Sequence, residues 1–149
     1  MNVDILGKIL YKFERWIKKM ERIMKVHIEA FQQMLKNEIK YKDYEFTLEE
    51  LRKEKSKWNE WENESGIYYF VEEGTIAYVG RALPGTGLGS RVKDQIESFE
   101  DPKWCRIINN PQVIVGIVCI YEKMWFMSSS LELYLIDKLE QPEFNKRIQ

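Results

Sequence analysis

The chain has 149 residues, 44% hydrophobic and 32% charged, with a formal net charge of −1. That length holds one compact domain plus an accessory segment, and the near-zero charge excludes a protein that grips nucleic acid by its overall field. With no run of about 18 apolar residues and no signal-peptide core at the charge-sprinkled N-terminus, the expectation is a cytoplasmic protein with no membrane partner.

The chain opens on what reads as one long amphipathic helix, from about Asp4 to about Lys40. Leu6, Leu10, Phe13, Ile17, Met20, Met24, His27, Phe31 and Met34 recur at spacings of four and three, a heptad seam of about four repeats. Ile5, Ile9, Trp16, Ile23 and Leu35 widen that stripe. An isolated helix does not hold so much apolar surface in water, so the stripe folds back on the rest of the chain or pairs with a second copy. A surface-bound membrane helix is disfavoured, because Glu14, Glu21 and Glu29 dilute the basic face. The lone His27 reads as a helix-face residue, not a ligand.

Next comes Glu45-Phe46-Thr47-Leu48-Glu49-Glu50-Leu51, which carries a capping box with Thr47 as cap and Glu50 three residues on. It predicts a second, shorter helix to about Asn59, with Trp58 and Trp61 anchoring its join to the C-terminal domain. Residues 1–62 are therefore read as a helical arm for oligomerisation or nucleic-acid contact, and residues 63–149 as the functional domain.

Two alternating runs, Gly66-Ile67-Tyr68-Tyr69-Phe70-Val71 and Ile76-Ala77-Tyr78-Val79-Gly80, flank Glu72-Glu73-Gly74-Thr75 and predict a β-hairpin. The hairpin brings Tyr68 near Tyr78, with Arg81 just beyond the second strand. Phenol hydroxyls beside a guanidinium make a phosphate-handling surface. Tyrosine is equally a favoured strand residue, so an ordinary aromatic hairpin reads the same way.

An amphipathic helix begins at Leu88, with Leu88, Val92 and Ile96 on one stripe and Arg91 and Gln95 on its neighbour. Gln112 to Tyr121 is an apolar, β-branched run that reads as a buried strand. Ser128 to Glu140 reads as the last helix, and Ser129-x-x-Glu132 has the form of a capping box at its start. Cys105 and Cys119 lack metal-ligand spacing and read as reduced, structural thiols. Asp94, Glu97, Glu100 and Asp101 read as solvated surface rather than a metal site.

In this order the chain resembles the GIY-YIG nuclease family over residues 65–148. Gly66-Ile67-Tyr68 matches its first motif, and Tyr78-Val79-Gly80 matches its second with Val in place of Ile. The helix arginine falls on Arg91, the metal-binding glutamate on Glu132 of Glu132-Leu133-Tyr134-Leu135-Ile136, and the trailing asparagine on Asn145 after Pro142. The chain departs from the family in Leu83-Pro84-Gly85-Thr86-Gly87, which implies an enlarged loop, and in Gln95, where many members have His or Tyr. Glutamine is no base, so Gln95→Ala is expected to cost little and Tyr68→Phe much more.

The resemblance implies an α+β fold: a small antiparallel three-stranded sheet flanked by helices, preceded by the long and the shorter N-terminal helices. It implies a divalent-metal-dependent endonuclease that hydrolyses phosphodiester bonds of DNA, with RNA not excluded. Glu132 would hold one Mg²⁺ or Mn²⁺, Tyr68 would accept or relay the proton of the attacking water, and Tyr78, Arg81 and Arg91 would hold the phosphate while Asn145 braces the site. Restriction, repair, a mobile element or defence are the settings such an enzyme serves.

Charge runs against strong substrate grip. Residues 66–149 carry nine Lys/Arg against eleven Asp/Glu, whereas residues 1–40 carry nine against five. A nucleic-acid-binding module without cleavage, or an oligomeric assembly subunit with partner-gated activity, are the rival readings. A homo-oligomer through the basic N-terminal helix would concentrate positive charge beside the functional domain.

Overall fold

The computed structural model describes residues 3–36 and 38–146, without the side chains of residues 3, 4 and 31; Phe31 of the heptad seam thus lies outside the described side chains. The chain forms two compact units, Met1–Glu38 and Ile39–Gln149.

The first unit is the helix α1, Val3–Leu35. Taken by itself, the helix exposes Leu6, Leu10, Phe13, Ile17, Met20 and Met24 of the seam, and Phe13 and Trp16 stack with centroids 6.2 Å apart. It stops short of the expected Lys40 because the chain there already serves the sheet of the second unit: the Lys40 carbonyl accepts from Tyr121 N–H at 2.9 Å.

The second unit runs β1 (Tyr41–Thr47), α2 (Leu48–Lys53), β2 (Gly66–Glu72), β3 (Thr75–Ala82), α3 (Gly87–Ser98), α4 (Cys105–Ile108), β4 (Ile114–Ile120) and α5 (Met127–Lys138). Its antiparallel sheet has the order β1-β4-β2-β3. The sheet therefore has four strands rather than three. The cause is β1, which pairs along its length with β4 from Tyr41↔Ile120 to Thr47↔Ile114. Its polar, charged sequence is that of an edge strand, which charge keeps from pairing with other chains. Thr47 forms the expected capping box with Glu50, and α2 begins there. The helix ends at Lys53, and a 3₁₀ turn over Lys55–Trp58 carries the chain on. Trp61 is fully buried, its indole N–H donating to the Lys57 carbonyl, and Trp58 stacks on it at 4.9 Å.

Two cores lie on opposite faces of the sheet, as strand alternation dictates. Tyr68 and Phe70 of β2 join Val115 and Ile117 of β4, Leu88 and Val92 of α3, and Trp104. Ile67 and Val79 join Ile120, Met124 and Ile136 on the face covered by α5. Among the described residues no helix is long and apolar enough to cross a membrane. Both cysteines are free, Cys119 buried and Cys105 exposed.

Candidate active site

Strands β2 and β3 form the expected hairpin, with Tyr68 opposite Gly80 and Phe70 opposite Tyr78. The tyrosine rings sit 6.0 Å apart. Glycine at 80 is what lets Tyr68 lie where it does, since a Cβ there would sit 2.4 Å from the phenol ring. Gly66 answers a second close approach: its φ is +153°, and a Cβ would meet the Val118 carbonyl oxygen at 1.9 Å.

The loop before α3 is short, spanning residues 83–86 between Ala82 and Gly87. Leu83–Thr86 make a tight turn, with Thr86 N–H and Gly87 N–H both bonded to the Leu83 carbonyl. The helix then docks on the preceding segment: Leu88 N–H donates to the Glu64 carbonyl and Gly89 N–H to that of Glu62, each at 2.8 Å. These bonds satisfy donors that a helix start otherwise leaves open. They also aim α3 so that Arg91 and Gln95, one turn apart, look onto the same space.

That space is a groove of about 720 Å³ along the outer edge of β3. Tyr68, Tyr78, Arg91, Gln95, Glu132 and Asn145 all line it. Four elements and the C-terminal segment thus deliver five of the six expected site residues to one place, with β2 and β3 giving the tyrosines, α3 Arg91, α5 Glu132 and the segment after it Asn145. Arg81, the sixth, is not in the lining; it reaches across from β3 to form an ion pair with the Glu132 carboxylate. Arg91 has no carboxylate partner among the described residues, which leaves its guanidinium available to an anion. Lys93 is exposed and outside the lining, whereas Asp94, read as plain surface, does line the groove.

Asn145 reaches the site from the C-terminal segment. Val79 N–H donates to Asn145 Oδ1 at 2.9 Å, and Asn145 Nδ2–H donates to the Val79 carbonyl at 2.8 Å. Phe144 N–H adds a bond to the Ala77 carbonyl at 3.0 Å. The segment thereby covers the free edge of β3 and satisfies backbone groups that no strand pairs.

Glu132 does not cap α5. The helix starts at Met127, after a 3₁₀ turn over Glu122–Met124, and Phe126 caps it without a side-chain bond. Glu132 therefore lies in the second turn, with 13% of its side chain exposed. Among the described residues no cluster of three or more His, Cys, Asp or Glu could cage a metal. One carboxylate at a groove rim fits a hard cation that keeps its waters and takes further oxygens from a phosphate; it does not fit zinc.

Burial sets the protonation of the tyrosines. Tyr68 is fully buried, and loss of solvation, with the Tyr78 hydroxyl as a smaller contribution, pushes its pKa well above the ordinary value, against the pull of Arg91. Tyr78 is raised as well, chiefly by burial. Both are neutral phenols at physiological pH.

Two supports escaped sequence reasoning. Trp104, fully buried, donates its indole N–H to the Gln95 backbone carbonyl at 2.9 Å and packs edge-on against Phe144 at 4.9 Å. Arg106 pairs with Glu72 of β2 and with Glu143, clamping the segment that carries Asn145, and it holds the Glu143 pKa below the usual carboxylate range. Tryptophan-rich composition was the available signal for the first; nothing in the spacing of Arg106 marked the second.

No family model matches the sequence, and no curated protein does. The chain is similar to solved structures of the GIY-YIG N-terminal endonuclease domain of UvrC from Thermotoga maritima. The magnesium-bound form is 27% identical, with 62% of this chain and 94% of that chain covered and a TM-score of 0.44. A tyrosine-to-phenylalanine point mutant of the same domain, bound to its catalytic divalent cation, is 28% identical over the same shares with a TM-score of 0.44. An asparagine-to-alanine point mutant, also bound to its cation, is 27% identical over those shares with a TM-score of 0.45.

Proposed function

We propose that the chain is a divalent-metal-dependent endonuclease that hydrolyses phosphodiester bonds of DNA. The observation that carries this reading is the convergence of Tyr68, Tyr78, Arg91 and Glu132 on one groove, from four elements separated in sequence. Arg91 binds the phosphate through its guanidinium fork and offsets the charge that develops as the bond breaks. Tyr78 donates a hydrogen bond to the same phosphate. Tyr68, held neutral by burial, cannot start as a phenolate; it relays a proton, accepting one from water as its own passes through the Tyr78 hydroxyl to a phosphate oxygen. Glu132, with waters and the phosphate, would hold Mg²⁺ or Mn²⁺, which when bound supplies charge neutralisation at the scissile group. Arg81 holds the Glu132 carboxylate in place and turns to the phosphate when that carboxylate is engaged elsewhere. Asn145 acts through β3, fixing the strand that carries Tyr78.

A test is nicking of supercoiled plasmid DNA. It is expected with Mg²⁺ or Mn²⁺, stops on addition of EDTA, and falls about 100-fold or more in Arg91→Ala. Failure to cut DNA with any divalent metal favours the non-cleaving binding module instead.

We infer also that the protein self-associates through α1. What supports this is the heptad seam, whose spacing of four and three is matched by a second copy of itself. Two basic arms side by side would supply the positive charge that residues 66–149 lack, and two sites in one particle would cut both strands in one encounter. Light scattering should give a mass above the 18.0 kDa of one chain, reduced in Phe13→Glu with Met20→Glu; a strictly monomeric parent at micromolar concentration contradicts it.

A further inference from the structure

Gln95 is among the groove residues for which the proposed chemistry has no use, and its environment is unusual. It is 5% exposed, in a helix position whose polarity predicts solvent. Ile96, which the apolar stripe Leu88-Val92-Ile96 would bury, is only half-buried in its stead. Two side-chain polar atoms are both buried and without a hydrogen-bond partner among the described residues, Ser128 Oγ and Gln95 Nε2. Only Gln95 of the two lines the groove.

A buried amide donor left unpaired destabilises the fold, so packing alone would favour methionine or leucine here. The residue is nevertheless held firmly in place. Its backbone carbonyl accepts from Trp104, and Tyr68, Tyr78, Arg91 and Asp94 line the same groove. Gln95 Nε2 is buried in the wall of that groove with no partner among the described residues, and Arg91 beside it has no carboxylate partner among them. Turned to the groove, the amide N–H needs an oxygen acceptor, and an anionic one suits the neighbouring guanidinium.

We propose that Gln95 is a substrate-binding residue whose side-chain amide donates a hydrogen bond to a phosphodiester oxygen seated against Arg91. This rests on the reading of the groove as a phosphodiester site, and it replaces the expectation that Gln95 is dispensable. Glutamine carries no proton that titrates near neutrality, so this contact is made equally at pH 6 and pH 8, as a histidine contact would not be. The donor has no partner among the described residues, so a phosphodiester contact favours the bound state without stabilising the free one.

The test uses the full chain, a short DNA duplex, and the variants Gln95→Met and Gln95→Glu. Methionine keeps the length and removes the donor; glutamate keeps the shape, removes the donor and adds a charge that repels phosphate. Without DNA, Gln95→Met should melt at the parent temperature or above it. With DNA and Mg²⁺, its KM should rise about tenfold, with kcat changed less, and Gln95→Glu should be worse than Gln95→Met. Duplex affinity measured by anisotropy in a Glu132→Ala background should fall by the same factor. Parent-like KM and affinity in Gln95→Met overturn the inference, as does a lower melting temperature with parent-like affinity, which marks a packing residue. Full activity in Gln95→Glu also overturns it, since the group then accepts rather than donates. The two readings fail separately. A parent that binds but does not cut, with weaker binding in Gln95→Met, sinks the nuclease and keeps Gln95; a parent and Gln95→Met that cut alike do the reverse. A parent that neither binds nor cuts sinks both.

Discussion

Asn145 pairs both ends of its carboxamide with the backbone of a single residue, taking the Val79 N–H and donating to the Val79 carbonyl. A side chain thereby does the work of a neighbouring strand at the open edge of β3. Val79 lies between Tyr78 and Gly80, so the bonds hold the part of β3 that carries one site tyrosine and accommodates the ring of the other.

Removal of that carboxamide leaves two edge groups of β3 unpaired. Asn145→Ala should cost about 1–3 kcal/mol in urea unfolding and lower cleavage with it. Asn145→Asp, which keeps the acceptor and loses the donor, should fall between. Hydrogen exchange at the Val79 amide reports the cause directly: fast exchange in Asn145→Ala fits the account, and parent-like protection does not.

Gly80 and Gly116 make a matched pair of controls on opposite faces of the sheet. A Cβ on Gly80 would sit 2.4 Å from the Tyr68 ring, and one on Gly116 would sit 2.0 Å from the Tyr69 ring. Overpacking of this kind costs about 1–3 kcal/mol. Both Gly80→Ala and Gly116→Ala should lose stability, but only Gly80→Ala displaces Tyr68 and should lose cleavage beyond what its stability explains. Equal specific activity in the two folded variants contradicts this.

The hairpin of the candidate site was legible in the sequence, since the nearness of Tyr68 and Tyr78 follows from strand alternation about a glycine turn. Arg91, Glu132 and Asn145 were marked only by the resemblance to the GIY-YIG family, because a helix stripe or a tail gives such residues a solvated reading by itself. The rest depends on tertiary context. The charged Tyr41–Thr47 segment hides a strand, since edge strands need one apolar face at most and charge protects them. Ser129-x-x-Glu132 has the letters of a capping box, but the register of α5 is set by the turn before it, which starts the helix at Met127. Gln95 is marked in the sequence by its place one turn after Arg91, but its burial is not; the bond from Trp104, nine residues on, holds its backbone at the groove.

Alkaline stability follows from the tyrosines. The Tyr69 hydroxyl donates to Glu45 of β1, and burial with that carboxylate pushes its pKa up to about 12. Tyr68 and Tyr78 are raised too. A raised folded-state pKa means that the folded form keeps its proton after the unfolded form, near pH 10, has lost it. Stability from these groups is complete below about pH 10 and declines as pH rises toward and through their folded values. Urea midpoints should be flat from about pH 7 to about 9.5 and fall above it, less steeply in Tyr69→Phe. A midpoint that rises above about pH 10 contradicts the assignment.

The role proposed for Glu132 is to serve a metal at a phosphodiester-cleaving site rather than the architecture of α5. Its partner in the free protein is Arg81, a half-exposed side chain that water can satisfy once the carboxylate is gone. The most direct measurement is the Mg²⁺-dependent cleavage rate of Glu132→Ala beside its melting temperature. The account predicts a rate lower by about 100-fold or more, with melting within a few degrees of the parent. A Glu132→Ala protein that cuts DNA as fast as the parent would contradict it.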